Sequence, residues 1–275
     1  MTARFLLLTL FLSVGCLTAR GQDLRTGVAT ADGGFLVAGD YLAWLDVDGT
    51  VLRKRPLERP LTALAAVGER LYALDDRGRD LLRLAPDGGV AAREKLPVKG
   101  VLRALADDRN TLWAVTDAGE IAHRTGDASW VIFDFNAQYA GYYPSMDFRA
   151  VAAGGGSVMV AGIGPDGKPA AFTSARGTVW SERTLDYTEQ GLPFLFTADP
   201  FSLSYDAPQD RYHLAGAGGA LLALPSCSHC NALTRYPVDT LFARVAGVQK
   251  TCSSAAMDSN ASRSGNERVM TALTS

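Results

Sequence analysis

The sequence predicts an all-β chain, a β-propeller of about five to six four-stranded blades. Three observations predict it. First, a short apolar core recurs five times, as Phe35-Leu36-Val37-Ala38-Gly39, Leu71-Tyr72-Ala73-Leu74, Leu112-Trp113-Ala114-Val115, Val158-Met159-Val160-Ala161-Gly162 and Tyr212-His213-Leu214-Ala215-Gly216. The centres of these runs lie about 35, 41, 46 and 54 residues apart, and periods of roughly 40 to 50 residues with several strands each mark a propeller. Second, Gly, Asp and Pro turns separate the apolar runs. Third, no convincing amphipathic helix interrupts the series.

Each period reads as four strands, A to D from the axis outward. The first takes Gly27–Thr30, Phe35–Ala38, Leu42–Asp46 and Val51–Arg55, with Asp48-Gly49 as a tight turn because both residue types tolerate positive φ. The second takes Leu61–Val67, Leu71–Leu74, Leu81–Leu84 and Val90–Arg93, turning at Asp87-Gly88-Gly89. The third takes Leu102–Leu105, Leu112–Val115, Ile121–His123 and Trp130–Phe133. The fourth takes Phe148–Ala152, Ser157–Ala161, Ala170–Thr173 and Thr178–Arg183. The fifth takes Phe201–Tyr205, Tyr212–Ala215, Leu221–Leu224 and Ala232–Tyr236. Alternation is imperfect, as expected of strands covered on both faces by neighbouring blades. Asp239–Val248 either starts a sixth blade or returns to complete the first. From about Gln249 the chain is rich in Ser, Asn, Ala and Thr and lacks aromatics, so residues 249–275 read as a disordered tail. The propeller is expected to span residues 22–248.

The start of the chain reads as an export signal. Met1-Thr2-Ala3-Arg4 is short and basic, Phe5–Val14 is apolar, and small residues follow. The apolar run is too short to span a bilayer stably. Two fates are open. Cleavage before Gln22 would use the small residues Ala19 and Gly21 and make residues 1–21 a signal peptide. Alternatively, Ser13-Val14-Gly15-Cys16 resembles a bacterial lipobox, with Cys16 as the lipidated residue and a lipid anchor as the result. Either fate exports the protein to a periplasmic, cell-surface or secreted location of bacterial type. No transmembrane span is expected after processing.

The 275 residues carry 27 basic and 29 acidic side chains, mixed along the chain, for a formal net charge of −2. With no basic stripe, nucleic acid is excluded as a partner class. Four cysteines are too few for a disulfide scaffold in a chain of this size. In Cys227-Ser228-His229-Cys230, the two cysteines can close a small disulfide ring in an oxidising compartment, with Cys252 left odd. Redox and zinc chemistry are the other readings. Zinc would need four ligands, and there is no second CxxC. No metal or cofactor is expected. Gly162-Ile163-Gly164-Pro165-Asp166-Gly167 spells a dinucleotide fingerprint, but another strand follows where a helix is required. Asp46-Val47-Asp48-Gly49 lacks the remaining ligands of a calcium loop and reads as a turn. Of three histidines, none stands near a credible nucleophile, and His123 and His213 read as strand residues.

The turns between third and fourth strands carry a family resemblance. Ser174-Ala175-Arg176-Gly177-Thr178-Val179-Trp180 and Thr125-Gly126-Asp127-Ala128-Ser129-Trp130 resemble degenerate Asp-boxes, whose pattern is Ser-x-Asp-x-Gly-x-Thr-Trp. Arg176 stands where that pattern has Asp, and the likeness covers two turns. The resemblance implies an Asp-box (BNR-repeat) propeller, a group that includes sialidases and non-catalytic assembly and adhesion factors. Phe148-Arg149-Ala150-Val151 has neither the Ile nor the Pro of the sialidase arginine motif.

A ligand site is expected on the face crossed by the D-to-A connectors. Two of these are long, Asp134–Asp147 and Asp186–Pro200, and long loops on a rigid scaffold commonly carry function. Their candidate ligand-binding residues are Tyr139, Tyr142, Tyr143, Asp147, Tyr187, Phe194 and Phe196. Aromatic faces beside carboxylates suit a glycan or the apolar patch of a protein partner. The alternative is that these aromatics fold inward and seal a blade junction. The expected function is non-catalytic recognition or scaffolding. The alternative function is a glycan-active hydrolase using loop carboxylates such as Asp134 and Asp147.

Overall fold

The computed structural model describes residues 24–30, 33–189, 192–217, 220–226 and 234–235. Within them lie five four-stranded antiparallel sheets, each a meander in chain order. Blade 1 holds β1 (Leu24–Ala29), β2 (Phe35–Gly39), β3 (Tyr41–Leu45) and β4 (Val51–Pro56). Blade 2 holds β5 (Leu61–Val67), β6 (Arg70–Asp75), β7 (Leu81–Leu84) and β8 (Val90–Glu94). Blade 3 holds β9 (Leu102–Asp108), β10 (Thr111–Thr116), β11 (Glu120–Thr125) and β12 (Val131–Asp134). A single-turn helix α1 (Phe135–Gln138) precedes blade 4, which holds β13 (Asp147–Gly154), β14 (Ser157–Ile163), β15 (Pro169–Ser174) and β16 (Ser181–Arg183). A hairpin of β17 (Asp186–Glu189) and β18 (Leu192–Leu195) leads to blade 5, with β19 (Pro200–Asp206), β20 (Arg211–Gly216), β21 (Ala220–Pro225) and β22 (Thr234–Arg235). The chain is thus a β-propeller with five described blades. The leader with Cys16, the Cys227 and Cys230 pair and the 249–275 tail lie outside the described residues.

The innermost strands β1, β5, β9, β13 and β19 share one irregularity. The ladder to the second strand skips a residue between Leu24 and Thr26, Leu61 and Ala63, Leu102 and Ala104, Phe148 and Ala150, and Pro200 and Ser202. A bulge strengthens local twist and turns the extra residue out of the ladder. The skipped residues are Arg25, Thr62, Arg103, Arg149 and Phe201. The residue after each bulge is small, and Ala63, Ala104 and Ala150 are fully buried. Neighbouring innermost strands pack against one another from β1 through β5, β9 and β13 to β19, and small side chains permit that approach.

Four apolar clusters hold the blades together, one at each successive junction. Val28, Leu36 and Leu42 meet Leu61, Leu64 and Leu82 between blades 1 and 2. Leu74 and Leu81 meet Leu105 and Leu112 between blades 2 and 3. Val115 and Ile121 meet Phe148 and Phe172 between blades 3 and 4. Met159 and Ala171 meet Leu203, Tyr212 and Leu214 between blades 4 and 5. Each blade is a sheet dehydrated face to face against the next. Polar staples add register: the Leu64 amide donates to Thr26 Oγ1 at 3.0 Å, and the Ala66 amide to Asp107 Oδ1 at 3.2 Å.

The turns follow the expected chemistry. Asp46 Oδ1 accepts from the amides of Asp48 (2.9 Å) and Thr50 (2.8 Å), so this segment is a capped turn. In blade 4 the Ser174 hydroxyl accepts from the amides of Gly177 (2.8 Å) and Arg176 (3.3 Å), the part a carboxylate plays in an Asp-box. This lengthens the turn, so the last strand begins at Ser181 instead of Thr178. Gly177 has φ +73 and its Cα lies under the Trp113 ring, so a side chain there would both strain and clash. The connectors expected as loops differ from expectation by holding α1 and the β17–β18 hairpin.

Candidate functional site

The meander puts the D-to-A connectors and B-to-C turns of every blade on one face. The connector after blade 3 is tied down by its own polar residues. Asp134 caps α1, accepting from the Ala137 amide at 3.0 Å and from Lys99 Nζ at 2.7 Å, and these donors hold its carboxyl below the usual range. The Asn136 side chain accepts from the Met146 amide at 2.7 Å and donates to the Ala118 carbonyl at 2.8 Å. Glu120, buried at the base of the neighbouring turn, accepts from the amides of Lys99 (2.8 Å) and Gly100 (2.9 Å). These bonds fix the connectors on either side of blade 3 to the blade itself.

The aromatics of this connector divide. Phe135 is fully buried among Tyr139, Phe148 and Phe172, with ring centroids 4.6, 5.2 and 4.6 Å away. Tyr139 turns inward, and its hydroxyl accepts from the Trp180 amide at 3.1 Å. Tyr143 meets Phe172 edge to face at 4.9 Å; partial burial and a hydrogen bond to Glu182 push its hydroxyl up to about 12. Tyr142 instead stands 82% exposed. Asp147 is engaged by Arg149 Nε at 3.0 Å.

On the second connector, Tyr187 and Phe194 are cross-strand partners in β17–β18, and their side chains lie outside the described set. Phe196 departs from the expected ligand-facing role. It is buried in the blade 4–5 cluster, under Gly216, because its amide bonds to the Leu185 carbonyl at 3.0 Å and ties the chain back to blade 4. Its neighbour Leu195 is 54% exposed. Of the predicted aromatic set, Tyr139, Tyr143 and Phe196 therefore seal blade junctions, and Tyr142 faces solvent.

The bulged residues are functional candidates that sequence reasoning missed. Phe201 is 38% exposed. Arg149 bridges Asp147 and Asp199, the latter at 3.2 Å, and so links the two long connectors. Arg103 pairs with Asp117 at 2.8 Å at the same position of blade 3. The available signal was the recurring apolar-x-small triplet: Leu61-Thr62-Ala63, Leu102-Arg103-Ala104 and Phe148-Arg149-Ala150.

Other polar groups have structural partners. A cavity of about 180 Å³ opens between blades 2 and 3, lined by Arg70, Arg83, Arg124, Glu94 and Asp127. Within it Arg70 is forked onto Asp127, and Arg124 Nη1 donates to both carboxylate oxygens of Glu94 at 2.8 and 2.9 Å; Glu94 also accepts from Trp130 Nε1 at 2.7 Å. Asp107, on the innermost strand of blade 3, is pushed up to about 6 by burial, against the pull of the Ala66 amide. His123 stacks on Trp113 at 4.5 Å, and burial draws its proton affinity down. His213 is buried 3.7 Å from Asp206. No group of three metal-ligating side chains occurs among the described residues, and no described helix is long and apolar enough to cross a membrane.

No family model matches the chain, and no curated protein matches it. Solved structures do. Virginiamycin B lyase from Staphylococcus aureus is 13% identical, with a TM-score of 0.57 over 81% of this chain and 72% of the lyase. A catalytically inactive variant of that lyase with quinupristin is 14% identical, with a TM-score of 0.55 and the same coverage. At this identity the likeness shows the fold, a β-propeller.

Proposed function

We propose that the protein is an exported, non-catalytic recognition scaffold that holds a protein partner on its connector face. The observation that carries this reading is the exposure of Tyr142, Leu195 and Phe201 on connectors and a bulge that are otherwise pinned. Around them lie paired charges, Arg149 with Asp147 and Asp199. Apolar anchors beside a charged rim are the anatomy of a protein interface. Pinned connectors lose little entropy on binding. Of the aromatics a sugar would stack on, Tyr139, Tyr143 and Phe196 are engaged in the core. Glycoside hydrolysis would call on Asp134 and Asp147, which are bound to Lys99 and Arg149. Export rests on the leader alone.

A photo-cross-linking amino acid placed at Tyr142 tests this in an extract of the source cells. The expected result is a discrete protein adduct from position 142 and none from position 179, on the opposite face. Equal labelling from both positions, or an adduct with sugar alone, would overturn it.

A further inference from the structure

The cavity between blades 2 and 3 lies at the end of the blades away from the connector face. Blade 2 forms one wall of it. Tyr72 on β6 pairs with Arg83 on β7, and Arg83 with Ala92 on β8, so these side chains share one face within reach of one another. Leu81 and Glu94 pair on the same face. Blade 3 supplies Arg124 from β11 and Asp127 from the turn that follows. Tyr72 and Leu81, at 4 and 1% exposure, make the floor. The volume of about 180 Å³ has room for several water molecules.

Two donors are left over once the ion pairs of this cavity are made. Arg124 is committed to Glu94 and lies over the Trp130 ring at 4.7 Å. Arg70 is committed to Asp127. Arg83 forms no hydrogen bond or ion pair among the described residues. It stands close enough to Asp127 to add to the pull by which Arg70, and then Arg124, hold that carboxyl below its usual range. The second donor is the Tyr72 hydroxyl. It faces Arg124 Nη2 at 3.5 Å as an acceptor, and its own proton has no acceptor among the described residues. A buried hydroxyl ordinarily places that proton. Asp127 indicates what the cavity suits. Its carboxylate is 77% exposed and comes from a turn that resembles an Asp-box, yet its hydrogen bonds run across to Arg70 of blade 2. A surface carboxylate drawn among three guanidiniums marks a seat for an anion.

We propose that this cavity binds a phosphate group, as the free ion or as a monoester, which takes the place of the Asp127 carboxylate. Phosphate receives the Arg83 guanidinium, the Arg70 fork that Asp127 releases, and the Tyr72 proton. Guanidinium forks match phosphate oxygens in geometry as well as in charge. Three arginines against Glu94 and Asp127 leave the lining net positive even with Asp127 in place, and a partly enclosed positive cleft concentrates anions. The site fills without touching the connector face, so it stands or falls independently of the recognition surface.

Calorimetric titration of the full chain with inorganic phosphate tests the site, with chloride holding the ionic strength constant. The wild type should show one saturable site. Arg83→Gln should weaken it at least about tenfold, and Tyr72→Phe about threefold, the ranges for a charged and a neutral hydrogen bond. Asp127→Asn should tighten it about tenfold, because the competing carboxylate is gone. Arg83 and Asp127 are exposed and Tyr72→Phe keeps the ring, so all three variants should fold. No saturable binding by the wild type would overturn the proposal. So would an affinity that Arg83→Gln or Asp127→Asn leaves unchanged. Methyl phosphate separates the two sources. Affinity equal to that of inorganic phosphate supports an ester, whose bridging oxygen points to solvent; affinity at least about tenfold lower supports the free ion.

Discussion

Phe135→Ala is expected to lower the stability of the folded chain by about 3–5 kcal/mol, the range for emptying a buried phenylalanine site. In a chain of this size that is a Tm loss of about 10 °C. Phe135 is 1% exposed and touches rings from three sources: its own connector (Tyr139, Tyr143), the innermost strand of blade 4 (Phe148) and the third strand of that blade (Phe172). Its removal leaves a cavity that cannot collapse easily. The α1 turn is capped on one side by Asp134, and Asn136 holds the chain to Met146 on the other. Phe135→Leu fills most of the volume and should cost less than half as much. The two variants, compared by denaturant unfolding, check this. A loss under about 1 kcal/mol for Phe135→Ala would mean that the aromatic knot does not hold the connector.

Asp107→Asn is expected to stabilise the protein at pH 7. Burial raises the carboxyl to about 6 in the folded chain, from an ordinary value of 3.8. The folded state therefore binds this proton more tightly than the unfolded state does. The sign follows: the contribution of Asp107 to stability is greatest below about pH 4 and falls as pH rises towards 6. A shift of about two pH units corresponds to roughly 2–3 kcal/mol. Asparagine keeps an oxygen for the Ala66 amide and carries no charge to desolvate. The variant should exceed wild type by about 2 kcal/mol at pH 7, and the difference should vanish near pH 4. Thermal unfolding from pH 4 to 7 checks it. A variant weaker than wild type at pH 7, or a gap independent of pH, would show that the charged carboxylate is tolerated in place.

The blades were legible because their strands repeat an apolar run at a fixed period, with turn residues such as Asp48-Gly49 between them. The second blade appears where it was expected, from Leu61–Val67 to Val90–Glu94. The bulges were not legible strand by strand. Thr62 reads as an ordinary alternating residue until Leu61 and Ala63 are known to pair with Asp75 and Leu74. The direction of the connector aromatics was equally hidden. Tyr139 and Tyr143 turn inward because Trp180 and Phe172 await them, some 30 to 40 residues downstream. Tyr142, between them in sequence with the same chemistry, has no such partner and stays in water. Asp134 was visible as a loop acid, but its use as a helix cap depends on a turn too short to show a period.

The most direct measurement is quantitative affinity capture from source-cell extract by the wild type and by two single variants, Tyr142→Ala and Phe201→Ser. Both side chains are exposed, so both variants should keep the wild-type Tm. If the connector face is the recognition surface, a defined partner is recovered by the wild type and at least about tenfold less by each variant, as expected for interface anchors. Equal recovery by all three proteins, or loss that tracks a fall in Tm, would contradict that account.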